Sequence, residues 1–169
     1  MFIIFSISFQ TFAYAEMEEK LLKERLALYK KIEATTNLPW YYIAAFDQYE
    51  LNISENSGDE LVSIKFPEEI WYGIGNIDHD SEEMMITFFR GIGKDGNGDG
   101  KANIEDPEDV LFTAAQLLLE NGRTTDDIKI SLWNFYQRDL SVKTVMNIAK
   151  VYKHFNTNEL LDRDFPVDT

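Results

Sequence analysis

Residues 95–106 constrain this chain more than any other stretch. They read Asp95-Gly-Asn-Gly-Asp-Gly-Lys-Ala-Asn-Ile-Glu-Asp106. No regular element suits such a run: Gly loses the most backbone freedom on ordering, and Asp and Asn compete for nearby backbone amides. The middle of the chain is therefore a loop, and the elements on either side must fold around it. The loop also carries chemistry. A calcium ion takes hard oxygen ligands from positions 1, 3, 5, 7, 9 and 12 of such a loop, with Gly at position 6 for the turn. Those positions hold Asp95, Asn97, Asp99, the Lys101 carbonyl, Asn103 and Asp106, and Gly100 stands sixth. Ca2+ is the expected cofactor, and a single loop of this kind suits fold stabilisation rather than calcium sensing. Ile104 is placed to reach the core. Asp106 is shorter than the usual Glu and precedes Pro107, so it also suits a helix N-cap. The same residues fit a plain acidic, glycine-rich turn.

On both sides the apolar residues recur at helical spacing. Leu22, Leu26, Tyr29 and Ile32 mark a helix over 17–34. Pro39 opens a second over about 39–51, carrying Ile43, Ala44, Ala45 and Phe46. Residues 52–80 read as a long loop with short helical turns, and a short helix follows over 81–90. Asp106-Pro107-Glu108-Asp109 starts the next helix with an acid cap and a first-turn proline, and Gly122 stops it. Helices over 124–137 and from a Ser141 cap onward complete the chain. No run alternates apolar and polar residues, so the expected class is all-α.

The first fifteen residues, Met1–Ala15, carry no charge and end in Ala13-Tyr14-Ala15 before Glu16. This pattern resembles a signal peptide with its cleavage site; a buried N-terminal strand is the alternative. The expected organisation is thus a signal peptide over 1–15 and one domain over 16–169, working outside the membrane as a secreted or cell-wall protein. No other apolar run approaches the roughly 20 residues a membrane span needs. The net charge of -14, from 30 acids and 16 bases, opposes nucleic-acid binding. With no cysteine there is no disulfide framework, and two histidines supply a zinc site poorly.

Glu50 is the carboxyl best placed for acid–base work. It follows Phe46 and Ile43 by four and seven residues, and Asp47 by three. It therefore shares their helical face. An acid at the edge of an apolar face, beside another acid, holds its proton to higher pH. The same spacing fits a solvated helix end.

The stretch Leu38-Pro39-Trp40-Tyr41-Tyr42-Ile43-Ala44-Ala45-Phe46-Asp47-Gln48-Tyr49-Glu50 resembles the helix that ends in the catalytic Glu of lytic transglycosylases, nearest to their membrane-bound B type. Asn97–Asp109 is similar to that family's calcium loop and following helix start. The Leu132, Tyr136-Gln137 and Val142 region is similar to its sugar-facing segment. The whole chain also resembles the N-terminal module of firmicute cell-wall hydrolases that carry a metallopeptidase domain. The resemblance implies a lysozyme-like helical domain that cleaves the MurNAc–GlcNAc β-1,4 bond of peptidoglycan glycan strands. Glu50 would be the general acid and base, and Asp47, Trp71, Tyr72, Tyr136 and Gln137 would line the substrate. Leu51 after Glu50 and Gln137 after Tyr136 depart from the family's pattern. Leu51, with the absence of a recognisable Gly-x-x-Gln-Phe-type cleft segment, favours the alternative, a non-catalytic peptidoglycan-binding or scaffolding module. Trp71 and Tyr72 are candidate sugar platforms, Trp133 and Phe135 are expected in the core, and His79 is expected at the surface.

Overall fold

The computed structural model describes residues 3–54 and 60–155, with side chains from Met17 onward. Among the described residues seven helices follow one another: α1 (Ile3–Thr36), α2 (Trp40–Ile53), α3 (Glu68–Tyr72), α4 (Glu83–Phe88), α5 (Pro107–Leu119), α6 (Thr125–Tyr136) and α7 (Asp139–His154). The all-α class holds. Among the described residues the one extended pairing is an isolated antiparallel bridge between Glu82 and Lys101.

The centre of the fold is α2. Trp40, Tyr42, Ile43, Ala44, Ala45, Phe46 and Tyr49 are all buried, so this helix is enclosed on most sides. It packs against α1, α5 and, most extensively, α7. Its aromatic hydroxyls fix the neighbours in place. Tyr49 donates to Ser141 Oγ on α7 at 2.8 Å, and Tyr42 Oη lies 3.1 Å from Thr125 Oγ1 on α6. Trp40 stacks on Tyr152 of α7 at 6.1 Å.

Several boundaries differ from the sequence expectation, each for a local reason. Helix α1 runs back to Ile3 instead of starting near residue 17, so the backbone there is helical and not a strand. The side chains of the expected signal peptide lie outside the described residues. Leu22 is 44% exposed, and the inward positions of α1 are Arg25, Tyr29, Ile32 and Thr36. Among the described residues no helix is long and apolar enough to cross a membrane.

The final helix starts at Asp139, not at a Ser141 cap. Gln137 closes α6 in the left-handed conformation (φ 49°) and Arg138 is extended, so the chain reverses within two residues. Ser141 then falls inside the first turn, where it meets Tyr49. The starts of α5 and α6 are as expected. Asp106 accepts the Glu108 and Asp109 amides, and Thr124 and Asp127 form a reciprocal capping box.

The described part of the long loop contributes to the core. Val62, Ile64 and Phe66 are buried, and Phe66 lies 5.7 Å from Trp71 and 5.9 Å from Phe135. Among the described residues no strand pairs with this segment. Its amides instead find a side chain of α2, as described next.

Candidate functional site

Glu50 sits in the last turn of α2, half-buried, and faces Tyr136 at the end of α6. The Tyr136 hydroxyl donates a hydrogen bond to Glu50 Oε1. The Tyr136 ring is held edge-on by Phe46, Tyr49 and Phe135, at 5.8, 5.2 and 4.9 Å. That aromatic collar fixes the phenol, and so fixes the carboxyl it binds. Burial pushes the Glu50 carboxyl above the usual range; the Tyr136 hydrogen bond pulls it back, and the Asp47 charge adds to the rise. Burial and the Glu50 carboxylate push the Tyr136 phenol well above its usual value, so it remains a donor. The pair is thus an acid that holds its proton longer than a free glutamate, beside a phenol that keeps its own. Exposed apolar residues flank both partners one helical turn away: Ile53 after Glu50, and Trp133 before Tyr136.

Asp47 plays a different part from the substrate contact expected of it. It is buried, and its carboxylate accepts the Tyr29 hydroxyl at 2.6 Å and the Ser63 and Ile64 amides at 2.6 and 3.1 Å. Burial still raises its carboxyl above the usual value, and those hydrogen bonds oppose the rise. Asp47 therefore ties α1 and the 62–66 segment to α2. Tyr29 looked like one more apolar position of α1. Its hydroxyl, at helical spacing toward a buried acid, was the available signal.

The aromatic platforms are likewise reassigned. Trp71 is fully buried, and its indole N–H donates to the Ala102 carbonyl at 3.1 Å, so it has no face for a ligand. Tyr72 is buried and stacks on the exposed His79 ring at 4.8 Å. Trp133, expected inside, is 50% exposed on α6 because Leu132 and Ile128 take the inward positions. Phe135 packs partly buried against the core as expected. Gln137 is exposed, and its amide caps α6 on the Trp133 carbonyl at 2.7 Å. A cavity of 260 Å³ lies between Glu60–Lys65 and Ile104–Val110, and neither Glu50 nor Tyr136 lines it.

The loop of residues 95–106 has internal order. Asp95 accepts the Gly98 and Gly100 amides, each at 2.7 Å. Asn97 and Asp99 each accept the amide two residues on, and Asn103 accepts that of Glu105. Gly100 sits at φ 92°, a conformation its missing Cβ permits. Asn97 Nδ2 reaches Asp106 Oδ2 at 3.1 Å, so the third and twelfth positions face each other. Asp109 was not foreseen. Fully buried, it accepts the Gly96, Asn97 and Asn103 amides at 2.8, 3.2 and 2.7 Å and clamps both ends of the loop to α5. Among the described residues no three His, Cys, Asp or Glu side chains converge as a metal group; Asn and backbone oxygens make up half of the expected set. The loop's far side is paired too: the Ala102 amide donates to Ser81 O at 2.8 Å. Buried Ala102, more than the partly buried Ile104, anchors it to the core.

Comparison with known proteins gives one informative match. The chain is 40% identical over 158 residues to an L-Ala–D-Glu endopeptidase of Bacillus subtilis (strain 168), covering 90% of this chain and 48% of that protein. The chain thus spans about half the length of the curated relative it matches. No protein-family model matches the sequence, and no solved structure matches it. The reading as a lytic transglycosylase is corrected by this finding. The relative is named for cutting a peptide bond between two amino acids, whereas the resemblance implied cleavage of a sugar–sugar bond by Glu50.

Proposed function

We propose that the chain acts as part of an L-Ala–D-Glu endopeptidase of the bacterial cell wall, and that the Glu50–Tyr136 pair engages the peptide stem of peptidoglycan. The observation that carries this reading is the 40% identity to a protein named for that activity. A bond from L-Ala to D-Glu belongs to peptidoglycan stems, which places the protein's work outside the cytoplasmic membrane. The uncharged Met1–Ala15 leader fits such a location.

The geometry supports an acidic peptide as the ligand. A chain of net charge -14 repels a glutamate-containing stem unless the contact surface is locally neutral. Glu50 provides that when protonated: it presents an acid hydrogen to a ligand oxygen while Tyr136 holds it in place. Ile53 and Trp133 offer apolar contact for the alanine methyl and the backbone. Binding should therefore tighten as pH falls through the raised Glu50 pKa, because the charged carboxylate repels the stem and the neutral acid donates to it.

Titration with a synthetic stem peptide beginning L-Ala–D-Glu, against its L-Ala–L-Glu isomer, tests this. Glu50→Ala should weaken binding about tenfold, as a lost hydrogen bond to a charged group implies. Glu50→Gln, neutral and still a donor, should bind well and lose the pH dependence. Equal affinity for both isomers, or an unaffected Glu50→Ala variant, would overturn the assignment.

A bound calcium ion in the 95–106 loop is part of the same reading. Asp95, Asn97, Asp99, Asn103, Asp106 and the Lys101 carbonyl would hold it. The Asp95 bond to the Gly100 amide and the facing of Asn97 and Asp106 favour that fit. The ion would supply stability, by drawing together the Asp95, Asp99 and Asp106 carboxylates with their neighbouring oxygens. A lysozyme-like arrangement of the helices is also proposed, on the order of α2, the loop and α5 to α7 along the chain.

A further inference from the structure

The four most exposed large apolar side chains among the described residues fall close together in sequence. Ile74 and Ile77 are each 89% exposed, Met84 79% and Phe88 75%. Single exposed apolar residues are ordinary, but a cluster marks a surface that something else covers.

The cluster is held rigidly. Asn76, 4% exposed, donates its side-chain amide to the Asp80 carbonyl and accepts the Asp80 amide, both at 2.9 Å. That closes the turn between Ile74 and Ile77 and the start of α4. The His79 ring, stacked on Tyr72, pins the same turn from outside. The Phe89 ring covers Gly75, where a Cβ would lie only 2.7 Å away, and Phe89 stands edge-on to Phe88 at 5.0 Å. The turn and the end of α4 therefore form one surface. Met84 and Phe88, four residues apart, share the outer face of α4. The backbone that presents these side chains is thus ordered before a partner docks.

Charge identifies the partner. From Glu68 to Phe89 the sequence has six acids and no Lys or Arg. Lys94 neutralises Glu83 at 3.0 Å, whereas Asp78, Asp80 and Glu82 are exposed around the apolar cluster. A second copy of a chain with net charge -14, or an anionic lipid surface, meets repulsion here. We propose that this surface docks a basic amphipathic polypeptide segment, whose apolar side chains sit on Ile74, Ile77, Met84 and Phe88 while its Lys and Arg residues face Asp78, Asp80 and Glu82.

The test uses a Leu/Lys amphipathic peptide and a Leu/Glu peptide of the same pattern, titrated into the protein and followed by methyl NMR. The expected result is shifts confined to Ile74, Ile77 and Met84 with the Leu/Lys peptide, weakening as salt rises. In an Ile77→Ser, Phe88→Ser variant affinity should fall about tenfold or more with an unchanged melting curve, since hot-spot contacts dominate such interfaces. Equal binding of the Leu/Glu peptide, no localised shifts, dimerisation through this face in sedimentation, or binding to phosphatidylglycerol vesicles in place of the Leu/Lys peptide would each overturn the proposal.

Discussion

Two acids one helical turn apart have opposite assignments. Asp47 and Glu50 both lie on α2, and burial raises both carboxyls. Asp47 is buried and takes three donors from α1 and the 62–66 segment, so it is closed off from a ligand. Glu50 is half-buried and has one protein donor, Tyr136. Sequence spacing places both on one face, but it does not show which of them the long loop covers. The covering is done by backbone amides, which leave no trace in residue type. Asp47→Ala should therefore behave as a folding lesion: it leaves the Ser63 and Ile64 amides and the Tyr29 hydroxyl without an acceptor. The expected cost is about 3 kcal/mol, a drop of roughly 6–12 °C in melting temperature for a chain of this size. A thermal melt of the purified variant checks it; a loss of stem binding with an unchanged melting temperature would show instead that Asp47 contacts the ligand.

At the scale of elements, the helices that carry strong end signals were legible in advance. Pro107 with Asp106, and Thr124 with Asp127, fix the starts of α5 and α6 through bonds that depend on residue type. Helix α7 was misplaced at its start because Ser141 has the identity of a cap but the position of a core hydroxyl, claimed by Tyr49 from α2. Trp71 and Tyr72 misled for a related reason. They lie in a polar, turn-rich stretch, yet the backbone of 70–73 packs closely on that of 91–93. A Cβ on Gly91 would lie 2.3 Å from the Trp71 carbonyl. The glycines at 91 and 93 were the visible signal of that approach. The loop of residues 95–106 is the element whose ligand remains to be weighed directly. If it holds calcium, a chelator lowers the melting temperature and excess calcium restores it, because an ion bound to the native state alone stabilises that state. A melting curve indifferent to both would leave the loop ordered by its own side-chain-to-amide bonds and by Asp109.

For the whole molecule, the all-helical class was readable from periodicity, and the run that ends at Glu50 led to the candidate site. The chemistry assigned to that site was not. A carboxyl at the end of a buried helix suits proton transfer to a sugar oxygen and contact with a peptide equally well, and nothing in the residues of α2 separates the two. The peptide is the proposed choice, on the name of a relative of which this chain covers 48%. Intact peptidoglycan sacculi and sacculi stripped of their peptide stems by an amidase put that choice to the molecule itself. Co-sedimentation of the protein with each, at matched mass, is the most direct measurement. Retention on intact sacculi and release from the bare glycan strands is the expected result. Equal retention on both would mean that the chain recognises the glycan, and would contradict the assignment of the Glu50–Tyr136 pair to the stem peptide.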